Sequence, residues 1–465
     1  MRGIVSNVEL LTQDEIRMIH EAALRLLEKT GLSMPNEECL RRCGKAGAKV
    51  DYVSGILRIP AGVMEEYIAV LRSEGASATS LYRPKATGYI STQIFVTDYK
   101  TKTKRLGTTD DIMRGIALVR HLKNIPSCPA AVIPSDVPGS ISDLHSYHMI
   151  YKYSEKDGGT YVINPAAAPY IMDMAEAVGR KTGYLFETVA PLRFRKETLE
   201  MGLMFADRGH HLGIAPMIMG GSTGPVTIAG TLTLITAEVL ASLFAVWAIT
   251  GRPSAFFANG SHTSDPKTML CSFGSPNQAL IGVGVAQMAK FYGIPSGSNS
   301  ALSDALMPDF QCGFEKTLSA MFSLLAGSCS MGCQGIAGAD QGFSFEQLVI
   351  DNEWIDAYNY VLDGAEVNAE TIAEEIIEEV GIGGHFLSEE HTVRHLSDSW
   401  WRSRLFDRFS FENYLEDGGR ELLDKASRLV EEYTAGYRGQ QPVLEQAKAE
   451  ELDRIYQAGS KRILG

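Results

Sequence analysis

Only seven cysteines occur in 465 residues, scattered and odd in number, which argues against a disulfide framework. Positive charge is scarce too: 43 lysines and arginines stand against 56 aspartates and glutamates, a net of -13. Nucleic acid and anionic membranes both require a positive footprint, so neither is expected as a partner. Long hydrophobic runs are nearly missing. The exception, residues 226–250, carries Gly230, Glu238 and several threonines, and reads as a buried helix rather than a membrane span. The N-terminal stretch is polar from Ser6 and lacks a secretory pattern, which sets the expectation of a cytoplasmic protein.

What is present alternates. Residues 12–30 carry a helical apolar stripe (Ile16, Ile19, Ala23, Leu26, Leu27), with Thr12 and Glu15 spaced as a capping box and Gly31 as the stop. A short helix at 36–46, a hairpin around Val53–Ile56 and a helix after Pro60 complete an N-terminal, mostly helical unit with its connection, residues 1–88. This unit is expected to cover one end of the next domain. From Ile90, short apolar runs at 92–97, 130–134, 160–164, 187–192, 212–219, 254–258, 294–297 and 329–334 are each followed by a helical pattern, at 110–122, 140–153, 169–178, 196–207, 226–249, 276–292, 310–326 and 345–361. Eight such units are the count of a TIM (β/α)8 barrel, placed at residues 89–362, with a helical C-terminal extension at 363–465. A doubly wound sheet is the alternative, but no strand is followed by a dinucleotide fingerprint; Gly282-Val283-Gly284 falls inside a helix.

The glycine-rich stretch from Cys329 to Glu353, with Gly332, Gly335, Gly338 and Gly342, has been cleared of side chains where the backbone turns or a bulky ligand approaches. The other strand ends present Phe95, Asp136, Asn164 with Pro165, Arg193, Gly220–Gly224, Asn259 with Ser261 and His262, and Asn299 with Ser300: polar, nearly uncharged, without paired carboxylates or a lysine placed for a Schiff base. Cys39/Cys43, Cys329/Cys333 and His391/His395 have metal-ligand spacing, yet none is joined by a second pair, so no metal site is expected; a distributed zinc site stays open. Asp143-Leu144-His145 begins like a corrinoid-binding motif, but His148 stands where that motif has glycine, and the stretch reads as an ordinary amphipathic helix. The acidic run at 363–380 reads as a solvated helix face, and Trp400 and Trp401 as packing anchors.

The stretches TQDEIRMIHEAALRLLEKTGLSM, KAGAKVD, VTDYKTKTKRLGTTDDI, SPNQALIGVGVAQMAKFYGIPSG, EQLVIDNE and VGIGGHFLSEEHT, in this order, resemble the trimethylamine methyltransferase superfamily over most of the chain. The resemblance implies a TIM-barrel enzyme that moves a methyl group from a methylated amine to the cobalt of a separate corrinoid protein, with no permanently bound cofactor. Founding members carry pyrrolysine; this chain has none, which points to the branch associated with quaternary amines such as glycine betaine. The implied catalytic residues are His385 and Gln334. Phe95, Tyr89 and Phe257 are the implied aromatic faces for the cation; Asn164, Arg193 and the Gly221–Gly224 backbone would hold a carboxylate; Gly335, Gly338 and Gln341 would face the corrinoid. A homo-oligomer is expected. A zinc-dependent thiol methyltransferase using Cys329 or Cys333, and a non-catalytic betaine-binding protein, are the alternatives.

Overall fold

The computed structural model describes residues 8–79 and 86–465. The helices fall where the periodicity places them. Gln13–Lys29 starts on the Thr12/Glu15 capping box, and Glu37–Lys45 starts on Asn36, whose side chain accepts from Cys39 N. The helix after Pro60 runs farther than expected, Ala61–Thr79, into what reads from sequence as a connection. The N-terminal unit does not cap an end of the following domain. It lies along the helices Ile228–Thr250 and Pro276–Tyr292, with Tyr67 donating to Leu243 O at 2.9 Å. That explains why Ile228–Thr250, long and apolar enough to cross a membrane, is 83% buried within the protein: neighbours cover it on every side.

The middle of the chain is mixed α/β, with eight extended segments alternating with helices, several of them paired in parallel. Met331 N and Gln334 N donate to Thr87 O and Tyr89 O, joining the eighth segment to the first. Gln93 N donates to Ala131 O, and Cys128 N and Ala130 N to Asp157 O and Gly159 O, carrying the order through the second to the third. Gly183–Leu185 pairs in parallel with His211–Gly213, Met219–Gly220 with His262–Thr263, Phe257 with Ser296, and Gly297 with Ser330. The regular strands are short, two to four residues, because Pro129, Pro216 and Pro295 withhold donors and glycines and serines interrupt the ladders.

Several strand positions differ from expectation: 130–134 and 160–164 carry no regular strand, and 212–219 divides into His211–Gly213 and Met219–Gly220. The fourth segment is Gly183–Leu185, not 187–192: Pro191 has no N–H and Leu192 takes a left-handed φ of 55°, so this stretch loops out to pair with the N-terminal unit, Ser33 N donating to Leu192 O. Buried Glu238 holds the loop down by accepting from Thr188 Oγ1 and Leu192 N. The first segment divides after Gln93. Phe95–Asp98 turns back on Thr103–Leu106 and is paired on its other side by Gly342–Phe343, giving a four-stranded sheet that also includes Ile336–Ala337 and lies beyond the strand ends.

The C-terminal extension is tied on through its last helix, Gln446–Leu464, which packs on Ser142–Tyr153 and Ala168–Val178. His145 bonds Tyr456 Oη at 2.9 Å and His148 bonds Asp453 at 2.7 Å. The histidines of the motif-like stretch are thus fasteners between elements. Trp401 anchors against Phe406, but Trp400 is 70% exposed.

Candidate active site

Parallel segments followed by helices bring their carboxyl ends to one face, where ligands bind in such folds. Tyr89, on the first segment, reaches past the eighth to place its hydroxyl 3.3 Å from Asn299 Oδ1 on the seventh. A side chain spans two strand spacings in this way only over the concave inner face. Ser91 Oγ likewise reaches Tyr161 Oη, on the third segment, at 3.1 Å. Tyr89 keeps 39% of its surface accessible and Tyr161 48%, yet burial pushes both phenols up, Tyr161 to about 12. These two partly accessible rings and the polar groups bonded to them form the candidate chamber.

Around them the polar network continues. Asn299 Nδ2 lies 2.7 Å from His262 Nε2, and His262 Nδ1 lies 3.1 Å from Gln278 Oε1 at the start of the Pro276–Tyr292 helix. Burial drives His262 down to about 3, so the imidazole is neutral and serves as a hydrogen-bonding strut rather than an acid. Protonating it requires opening the fold: its folded value lies below the unfolded one near 6.5, so its contribution is intact above about pH 6.5 and declines as pH falls from there toward 3. Between pH 7 and pH 5 the wild type should lose about 2 kcal/mol more stability than His262→Gln; equal losses in urea titrations at both pH values would refute this assignment.

The carboxylates of the chamber are Asp340 and Glu187. Asp340 accepts from Gln93 Nε2 at 3.0 Å, and its charge bears on Tyr89, Tyr161 and Cys333. Burial raises Asp340 against that hydrogen bond, and it raises Glu187 against the nearby Arg195. Cys333 shares a hydrogen bond with Tyr89, and burial pushes its thiol up to about 12, the opposite of what a thiolate ligand or nucleophile needs. Among the buried polar atoms without a partner at the strand ends are Gln93 Oε1, Asn259 Nδ2, Ser264 Oγ and Ser300 Oγ. Unpaired groups of this kind mark a place where a ligand or water completes the bonding.

The residues expected from sequence divide. Tyr89 is in the chamber. Phe257 is not: it is fully buried, its ring parallel to Tyr292 at 6.1 Å on the helical side, and its neighbour Phe256 instead stands over Gly297. Phe95 belongs to the outer sheet, with the Lys104 ammonium 4.2 Å above its ring. Asn164 spends its side chain on Ser140 O and Ala166 N. Arg193 is exposed in the loop that pairs with Ser33. Gly221 N, Ser222 N and Gly224 N are spent on carbonyls of their own turn. Gln334 is buried, donating to Gly332 O and packed over Gly88 beside Ile355, so it faces the helical layer. His385 is exposed in the C-terminal extension, outside the Tyr89–Asn299–His262 network. Sequence reading missed Tyr161, Gln93 and Asp340, whose positions depend on contacts between distant segments.

The glycine-rich stretch does close over the strand ends. Gly338 N donates to Ala305 O and Phe95 N to Gln341 O, and Gly335 N donates to Asp351 Oδ2 at 2.7 Å. Gly335 has φ +78°, and a Cβ there would stand 2.6 Å from the buried Phe343 ring. Gly335→Ala should therefore lower stability by about 1–3 kcal/mol, read as a fall in the thermal midpoint; an unchanged midpoint would contradict the packing described.

A family model described as trimethylamine methyltransferase (MTTB) matches residues 1–462. The chain belongs to this family. Relatives of this MTTB member include a trimethylamine methyltransferase MttB of Desulfitobacterium hafniense strain DSM 10664 / DCB-2, 27% identical over 91% of this chain and 89% of that one. A glycine betaine methyltransferase of Desulfitobacterium hafniense strain Y51 is 26% identical over 90% of each. Among solved structures, the monomethylamine methyltransferase MtmB of Methanosarcina barkeri is 11% identical, covering 98% of this chain and 94% of that one, with a TM-score of 0.45.

Proposed function

We propose that this MTTB member is a methyltransferase that takes a methyl group from a quaternary amine and delivers it to the Co(I) of a separate corrinoid protein. The family assignment and the relatives named for trimethylamine and glycine betaine support methyl transfer from a methylated amine. The single observation that carries the substrate reading is the chamber of Tyr89 and Tyr161 with Asp340 beside it. Aromatic faces and a carboxylate attract a cation, and a desolvated cation–π contact contributes about 2 kcal/mol.

The chemistry asks for neither a proton donor nor a protein nucleophile. Attack on a methyl carbon of a quaternary nitrogen breaks the carbon–nitrogen bond, and the bonding pair stays on nitrogen, which departs as a neutral tertiary amine. The new bond uses the electron pair of Co(I), which is thereby oxidised to Co(III). No proton has to be delivered, so the protein's task is to hold and align the ammonium group. His262, neutral and fixed between Asn299 and Gln278, positions Tyr89 through Asn299. The eight extended segments are proposed to close as a (β/α)8 barrel; the backbone hydrogen bonds linking the eighth segment to the first support closure. The accessible Tyr89 and Tyr161 rings support an open mouth that a corrinoid protein enters.

The test is anaerobic incubation with a deuterated quaternary amine, Co(I) corrinoid and candidate corrinoid proteins, followed by mass spectrometry. The expected product is the tertiary amine lacking one labelled methyl. An intact quaternary amine under all combinations would overturn the proposal.

A further inference from the structure

The chamber also bears on what the substrate carries besides its methylated nitrogen, an inference that rests on the methyl-transfer reading above. Asp340 sits in a turn whose backbone is fixed from both sides: Gly338 N donates to Ala305 O at 2.7 Å and Ala339 N to Ser303 O at 3.3 Å. Ala339 and Asp340 are both left-handed, with φ of 52° and 58°. Two successive residues with side chains hold that conformation only where the surroundings over-determine it, a form of stored strain found at ligand sites. The turn presents the carboxylate to Gln93 Nε2. That bond also settles the amide's orientation, since Nε2 faces Asp340 and Ser91 O. Oε1 is then left without a partner on a side chain only 2% exposed.

The cluster is therefore one carboxylate and one unpaired amide oxygen near two tyrosine rings, with Glu187 also acting on Tyr161. These are acceptors and π-faces. Among the described residues, the cations that bear on it are committed or peripheral: Lys316 is paired with Asp351 at 2.8 Å, both fully buried, and Arg195 is exposed next to Glu187. A carboxylate tail needs a cationic fork or several donors. Unpaired donors at the strand ends, among them Asn259 Nδ2, Ser264 Oγ and Ser300 Oγ, are all neutral.

We propose that Asp340 is the counter-ion for the substrate's cationic nitrogen and that the preferred substrate has an uncharged tail, as in choline or tetramethylammonium, rather than the carboxylate tail of a betaine. The two carboxylates repel such a tail, which makes them specificity elements as well as attractive ones. The free Gln93 oxygen accepts from a hydroxyl, which favours choline over tetramethylammonium.

Titration calorimetry of the full chain with choline, tetramethylammonium and glycine betaine tests this. The wild type should bind choline and tetramethylammonium at least about tenfold more tightly than glycine betaine. Asp340→Asn, which keeps the shape and tolerates left-handed backbone, should weaken both cations about tenfold while leaving glycine betaine as it was or tighter, with the thermal midpoint unchanged. Tighter binding of glycine betaine by the wild type, or no binding of any of the three, overturns the proposal without reference to the variant, and so does unaltered cation affinity in a folded Asp340→Asn. Methyl transfer is followed separately. The expected binding pattern without demethylation would remove the methyltransferase reading and keep the counter-ion; demethylation of glycine betaine in preference to choline would keep the reaction and remove the tail assignment.

Discussion

Asp351→Ala lowers the folding free energy by about 3–5 kcal/mol. The carboxylate is 1% exposed and holds Lys316 Nζ at 2.8 Å on a side chain with no exposure at all. It also accepts from Gly335 N and Gln347 Nε2, each at 2.7 Å. Removing it leaves an ammonium unpaired in the interior and frees the glycine-rich turn that closes over the strand ends. Urea unfolding measures the loss. The double replacement Lys316→Met with Asp351→Leu should recover most of it, because a buried ion pair exchanged for apolar groups of similar volume is close to neutral. A loss below about 1 kcal/mol for Asp351→Ala would mean that water reaches the pair and that the turn is held by other contacts.

Tyr89→Leu should reduce kcat/KM for the quaternary amine about 30-fold, the kinetic equivalent of a desolvated cation–π contact. Tyr89→Phe retains the ring and should stay within about threefold, since it gives up only the hydroxyl's contacts, the 3.3 Å one to Asn299 and the one to Cys333. The loss in Tyr89→Leu should fall mainly on KM, as expected for a group that holds substrate and transition state alike. Equal activity of all three proteins would remove Tyr89 from the binding site.

Sequence and structure agree best where the signal is local. The Thr12–Glu15 box, the apolar stripes and the glycines that end helices at 179, 251, 293 and 327 depend on neighbours a turn away, so the helices are legible to within a few residues. The family is legible for a similar reason, since it rests on contiguous stretches of sequence. Side-chain direction is not. Phe256 and Phe257 are equivalent as letters, and only the strand's register decides that 257 meets Tyr292 on the helical side while 256 stands over Gly297. Gln334 fails for the same reason, turned to the helical layer by its bond to Gly332 O. His385 drew attention because glycines flank it. In the structure those glycines make an exposed turn, whereas His262, which the sequence places at a strand end beside Asn259 and Ser261, is the imidazole built into the chamber network. Asp340 illustrates the remaining gap: one carboxylate within a glycine-rich loop acquires its meaning only when Gln93, some 250 residues earlier in the chain, is folded against it.

The most direct test of methyl transfer is the visible spectrum of the cobalt. The protein is mixed anaerobically with a Co(I) corrinoid protein, and choline, tetramethylammonium, glycine betaine and trimethylamine are added in turn. Loss of the Co(I) spectrum with growth of the methylated Co(III) form, on addition of a quaternary amine and dependent on this protein, is the predicted result. A Co(I) spectrum that persists with every amine and every corrinoid protein supplied would contradict it.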